Sequence, residues 1–236
     1  MGSGIPLQII ESSIVKGSAM ELSVLYEDEA ILVCKKPAGV AVQTKQLGQP
    51  DMESLLKNYR VSKGEPPYIG VVHRLDQPVE GVMVFAKTKE AATSLSRQIA
   101  AKRADKYYYA MVEGTPPQKK GILVDDLLRD ARANTSAVVA RGTRGAKRAE
   151  LAYEVSETGG GRAILRIRLE TGRHHQIRVQ LSHAGMPIVG DRKYNFRENI
   201  RPSGMQLALC SYHLGFRHPV THRKMEFEID KPFTLS

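Results

Sequence analysis

Residues 106–170 read KYYYAMVEGTPPQKKGILVDDLLRDARANTSAVVARGTRGAKRAELAYEVSETGGGRAILRIRLE, and this run decides the fold class. KYYYAMVEG, GILVDDLLR, SAVVARG, AELAYEVSE and RAILRIRLE are each of strand length and rich in β-branched, aromatic and small apolar residues, and Gly- or Pro-bearing turns separate them. Strands that follow one another through turns this short pair as antiparallel neighbours, because a parallel pair needs a crossover of a dozen or more residues. The expectation is an α+β protein with an extended, mainly antiparallel mixed sheet and flanking helices.

Outward from that run the pattern alternates. LSVLYED and AILVCKK predict two strands, and PAGVAVQT is expected to continue in extended form. Asp51 can cap a helix through ESLLKNYRV. Thr88 can cap a second through KEAATSLSRQIAAKRA, whose Ala91, Ala92, Leu95, Ile99 and Ala100 fall at helical spacing. GRHHQIRVQLSHAG predicts a third helix that starts near Thr171 or Gly172 and ends at Gly185, with Ile177, Leu181 and Val179 toward the core and Arg178 pointing elsewhere. LALCSYHLGFRH and RKMEFEID close the chain as strands, and no internal repeat interrupts it.

At 236 residues the chain can bury a full core as one domain or two small ones. Residues 1–19 precede a second methionine, Met20, and lack the basic start and cleavage site of a signal peptide. They are read as a leader or disordered extension outside the folded domain of 20–236. No run of eighteen apolar residues predicts a membrane span, and a cytoplasmic location is expected. Cys34 and Cys210 stand in apolar strand contexts and read as buried free thiols.

The net charge of +10, from 35 Lys plus Arg against 25 Asp plus Glu, suits a polyanionic partner. RDARANTSAVVARGTRGAKR at 129–148 holds six basic residues and reads as a hairpin with a cationic face. A solvated surface explains such a run equally well. His174, His175, His183, His213, His218 and His222 do not fall at metal-ligand spacing with acidic or cysteine partners, so no metal site is expected. Neither a phosphate-cradling Gly loop nor a dinucleotide fingerprint is present.

The candidate chemistry lies in YIGVVHRLDQPVEGVMVFAKT at 68–88, where His73-Arg74-Leu75-Asp76 stands between two apolar strands and runs into a turn. An Arg-x-Asp pair beside a turn is commonly structural. Here it travels with KYYYAMVEG, ETGRHHQIRVQLSHAGMPIVGDRKY and LALCSYHLGFRHPVTHRKMEFEI in fixed order. Together with LYEDEAILVCKKPAGVAVQT, these blocks resemble the RluA-type family of RNA pseudouridine synthases. The correspondence runs through His73 to Asp76, Lys106, Tyr108 and Ala110, Thr171 to Arg178, Pro187, Gly190, Asp191 and Tyr194, and His218 with Pro219. One departure is Glu80, where the family has a small hydroxyl residue. A second carboxylate so close could raise the pKa of Asp76, although a solvated side chain is the simpler expectation.

The resemblance implies a sheet with a central cleft, RNA as partner (ribosomal, transfer or both), no cofactor and no obligate protein partner. It implies Asp76 as the catalytic carboxylate, Arg178 as the cation that keeps it ionised, and Tyr108 as the ring that meets uracil. Arg74 is implied to fill the space an extruded base leaves. His73, Leu75, Lys106, Arg173, His175 and Gln176 are implied around the substrate. A carboxylate can act as nucleophile on ribose carbon 1 or as base on the neighbouring ribose proton, and the residues do not choose between them. Two other readings stay open: a non-catalytic RNA-binding module on the same fold, and a hydrolase that would release free uracil. Many relatives carry an additional N-terminal RNA-binding domain of S4 type, and only about twenty residues precede the first expected strand here.

Overall fold

Two helices begin where the sequence supplies a capping oxygen. Asp51 Oδ1 accepts from the Ser54 N–H at 2.8 Å to open α1 (Met52–Ser62), and Thr88 Oγ1 accepts from Ala91 N–H at 3.1 Å to open α2 (Lys89–Ala100). In this computed structural model residues 22–44, 46, 48–200 and 204–235 are described, with the backbone of 13–15. The chain divides into two compact units: residues up to Asp105 joined by His213–Ile229, and Lys106–Tyr212 joined by the segment from Asp230.

The first unit holds β1 (Ser13–Val15), β2 (Leu22–Glu27), β3 (Ile31–Lys36), β4 (Gly70–Val71) and β5 (Glu80–Ala86). They pair antiparallel in the order β1-β2-β3-β5, and β4 also pairs with β5. Within the expected leader, Ser13–Val15 thus lie against Leu22–Val24, while most of residues 1–19 fall outside the described set. Its core joins Ile31, Val33, Val82, Val84, Ala91 and Leu95 to Leu214 and Phe216 from far along the chain. Only Ala91 and Leu95 of the predicted α2 stripe are fully buried, and Ala100 is exposed because the helix ends there, with Lys102 left-handed at φ 55°. Residues 37–44 are not the continuous extended run expected: Lys36–Gly39 form a turn, with Gly39 at φ 85°, a conformation costly for a side chain.

The second unit contains β6 (Asp105–Glu113), whose first residue belongs to the first unit, with β7 (Lys120–Asp130), β8 (Thr135–Val139), β9 (Lys147–Gly159) and β10 (Arg162–Leu169). The order is β6-β10-β9-β7-β8, antiparallel throughout as expected, but only β7–β8 and β9–β10 pair as successive strands; β6 pairs with β10 and β7 with β9, so pairing of each strand with the next does not hold along the whole run. The short helices α3 (Gln176–His183) and α4 (Phe196–Ile200) follow. β11 (Leu209–Arg217) begins in the second unit and ends in the first, where it pairs with β12 (Lys224–Glu228).

α3 starts later than predicted. His175 is its N-cap in the left-handed region at φ 54°, which ends the preceding loop, and Thr171–His175 stay non-helical because their hydrogen bonds go elsewhere. The Gln176 amide oxygen accepts from the Thr171 hydroxyl at 2.8 Å and the Arg173 N–H at 2.9 Å, while its NH2 donates to the Glu150 carbonyl at 3.0 Å. The helix is also buried all round from Gln176 to Leu181, Arg178 included, rather than on one face. Cys34 and Cys210 are both buried, as expected. No helix among the described residues is long and apolar enough to cross a membrane.

Candidate active site

In the first unit Asp76 sits on the loop between β4 and β5, which runs as a tight turn closed by the Val79 N–H donating to the Asp76 carbonyl at 3.0 Å. This loop is stapled to the Lys36–Gly39 turn. The Gly39 N–H donates to Gln77 O at 2.9 Å and the Gln77 side chain returns a bond to Gly39 O at 3.0 Å. Beneath both lies Lys36, whose side chain is completely buried. Its ammonium donates to the carbonyls of Pro37 (2.9 Å), Val40 (2.6 Å) and Gln77 (3.0 Å), which uses all three of its protons. Burial pushes its pKa down to about 8, and the carboxylates of Asp76 and Glu80 oppose that fall. Lys36 is therefore a cation built under the aspartate loop, and the motif reading of the sequence gave it no role.

The neighbours of Asp76 divide by exposure. Arg74 is exposed, whereas Leu75 is 7% exposed and belongs to the core. His73 Nε2 accepts from the Val84 N–H at 3.1 Å, which locks the motif onto β5. Glu80 is not the solvated side chain expected: it pairs with Lys35 at 3.2 Å, and its Oε1 is buried without a hydrogen-bond partner. In the late His-Pro block, His218 Nδ1 accepts from the N–H groups of Val220 (3.3 Å) and Thr221 (3.0 Å), folding the turn before β12.

In the second unit the center is Arg178. Its Nε and Nη2 donate to Asp191 Oδ2 and Oδ1 at 2.8 and 2.7 Å, a bidentate fork in which both side chains are buried. Asp191 Oδ1 also accepts from the N–H groups of Lys193 and Tyr194, so the carboxylate itself is fixed. The Tyr194 ring lies 5.2 Å from the guanidinium, and its hydroxyl is 2.8 Å from His175 Nδ1. Gly190 admits this arrangement: at φ 77°, a Cβ there would stand 2.3 Å from the Gln206 carbonyl oxygen. Asp191 and Tyr194 were legible as members of a motif but not as the support of Arg178.

Tyr108 is buried on β6, on the face opposite Tyr107 and Tyr109, and Tyr109 stacks on Tyr212 with centroids 4.0 Å apart. Burial also pushes the Lys106 ammonium below the ordinary lysine value. Arg173 is exposed, and its Nε donates to the Arg148 carbonyl at 2.9 Å, while Gln176 spends three of its four hydrogen-bonding positions on the loop it closes. The segment 129–148 forms the β7–β8 hairpin and the turn into β9, with Arg129, Arg132, Arg141, Arg144, Lys147 and Arg148 all exposed. No group of three or more His, Cys, Asp or Glu among the described residues is arranged to hold a metal ion.

The first unit thus sets a buried lysine under the turn that carries Asp76, and the second unit holds Arg178 in a fork braced by Asp191. Similar folds are found in human RNA pseudouridylate synthase domain containing 1 (TM-score 0.76, 24% identity, 94% of this chain and 88% of that one) and domain containing 4 (TM-score 0.74, 23% identity, 89% and 88%). Residues 30–183 match the family described as RNA pseudouridylate synthase. Ribosomal large subunit pseudouridine synthase D of Pseudomonas aeruginosa is 37% identical over 228 residues, covering 90% of this chain and 69% of the relative. An uncharacterized RNA pseudouridine synthase of Aquifex aeolicus is 32% identical over 238 residues, covering 94% and 73%. The chain belongs to this family and is an RNA pseudouridine synthase.

Proposed function

We propose that the protein converts specific uridines of structured ribosomal RNA, transfer RNA or both to pseudouridine, with Asp76 as the catalytic carboxylate. The observation that carries the assignment is the Asp76 loop itself, stapled to the Lys36–Gly39 turn over a fully buried ammonium, in a chain of this family. The reaction breaks the bond from ribose carbon 1 to uracil nitrogen 1 and forms one to uracil carbon 5. The proton on carbon 5 leaves, and nitrogen 1 takes one up. No oxidant, reductant or nucleotide is consumed.

In this proposal Asp76 starts the cleavage, as nucleophile or as base. Arg178, its rotamer fixed by Asp191, supplies the cation that favours the ionised carboxylate. Tyr108 offers its ring to the detached uracil and its hydroxyl to the carbon-5 proton. Arg74, exposed beside Asp76, takes the space of the extruded base, repaying part of an unstacking cost of a few kcal/mol. The cationic face of the β7–β8 hairpin holds the RNA backbone. Ribosomal RNA is the favoured class, since the Pseudomonas relative is named for it.

The test is tritium release from carbon-5-labelled uridine in unmodified ribosomal and transfer RNA transcripts. The intact protein should release tritium without free uracil, and Asp76→Asn should release none while still binding RNA. Undiminished release by Asp76→Asn overturns the assignment.

A further inference from the structure

Helix α2 presents a second face, opposite Ala91 and Leu95, that the reaction does not use. Lys89, Thr93, Arg97 and Ala101 follow one another at four-residue spacing, with Glu90, Ser94 and Gln98 alongside. With Arg103, Arg217 and His222 they line a groove of about 1030 Å³ in the first unit. Its walls are joined firmly. Gln98 Nε2 donates to the Arg217 carbonyl and its Oε1 accepts from the Arg217 N–H, both at 2.9 Å, and Arg217 Nη1 donates to His222 O at 3.2 Å.

Four permanent cations and a histidine thus face one groove against a single carboxylate, Glu90. Lys89, Arg97 and Arg103 make no ion pair with a carboxylate among the described residues, unlike Lys57, Lys63 and Lys87 of the same unit. The helix dipole accounts for Arg97, in the last turn, but not for Lys89 at the first helical position, where the dipole disfavours a cation. Four clustered cations that outnumber the one carboxylate beside them favour an external anion. From Lys89 to Arg97 is eight residues, about 12 Å of helix at 1.5 Å per residue, so the cations are spread along a line rather than around a point. A strand of linked phosphates fits that spacing better than a single small anion.

We propose that this groove is a second RNA-contact site, which takes the sugar–phosphate backbone of the substrate away from the target nucleotide. It contributes affinity and register and reads no sequence, since backbone contacts position without specifying. The proposal rests on RNA being the substrate of this protein.

The experiment compares the intact protein with Arg97→Gln/Arg103→Gln, and with Lys57→Gln/Lys63→Gln as a control that removes the same charge elsewhere in the unit. Affinity for a ribosomal RNA transcript is measured between about 50 and 200 mM salt. The groove variant should bind more weakly for every RNA sequence tried, and its plot of log affinity against log salt should be shallower by about 1.4–1.8, the loss of two phosphate contacts. An unchanged slope, or an equal change in the control pair, overturns the groove as a site. Tritium release by the intact protein is measured on the same transcript. Release with an unchanged slope removes the groove and leaves the enzyme assignment standing; no release with the expected slope change supports the groove as an RNA-contact site and removes this transcript as the target.

Discussion

Asp191 is the residue on which the geometry of Arg178 depends. A guanidinium forked onto one carboxylate has its plane and its reach set, whereas a buried cation without that partner must find water or move. Asp191→Asn keeps the shape and removes the charge. It should cost about 3–5 kcal/mol in urea unfolding, the usual result of breaking one side of a buried ion pair, and should depress tritium release more than RNA affinity. A wild-type unfolding midpoint for Asp191→Asn would show that the fork does not hold the second unit. Lys36 gives a prediction of different kind. Its pKa is lowered from the ordinary 10.5 to about 8, so between those values the unfolded chain keeps a proton that the folded chain has released. Stability from this group therefore increases with pH across that window. Relative to Lys36→Met, which has no such proton, the intact protein should gain stability from pH 8 to pH 10; parallel pH profiles of urea unfolding would contradict the burial of a charged lysine there.

α2 shows how an element is set by contacts that its own sequence only half reveals. Its start is local, and Thr88→Ala should cost about 1 kcal/mol by removing the cap. Its seat is not local: a Cβ on Gly70 would stand 2.8 Å from the Ala92 Cβ and 3.1 Å from the Tyr68 hydroxyl, so β4 receives the helix only because residue 70 is glycine. Gly70→Ala should destabilise by about 1–3 kcal/mol through overpacking. Ala92→Gly in the same chain should recover part of that, and strict additivity in the double-mutant cycle would deny the contact. The same division explains what the sequence made legible. Caps, strand-length runs and the turn after Asp76 are encoded within a few residues, and α1, α2 and the antiparallel run from β6 to β10 lie where those signals predict. The late start of α3 was hidden because Glu150, more than twenty residues away, holds the loop before it. The pairing of Glu80 with Lys35 was hidden for the same reason, as it depends on the register of β3 against β5. Asp76, Tyr108 and Arg178 were readable only as motif members; what braces Arg178 and what underlies Asp76 required the tertiary structure.

At the scale of the molecule, the order of residues along the chain and the order of assembly do not coincide. The first unit is interrupted by Lys106–Tyr212 and is completed by His213–Ile229, which brings Leu214 and Phe216 into the cluster of Ile31, Val33, Val82, Val84 and Leu95. β12 arrives with that segment and pairs residue by residue with β11, from His213 opposite Glu228 to Arg217 opposite Lys224. A chain ending at Asp105 would expose the apolar surface that Leu214 and Phe216 cover, at about 25 cal/mol for each Å² of it, in a piece too small to spare much. Such closure between distant segments is also slow, because loop entropy is lost before the contacts form. The fragment ending at Asp105 should therefore unfold without a cooperative urea transition and should exchange the amide protons of β5 rapidly. Supplied in trans, a peptide spanning residues 204–236 should restore both the transition and the protection. A cooperative transition in the isolated fragment would mean that Leu214 and Phe216 decorate a core already complete without them.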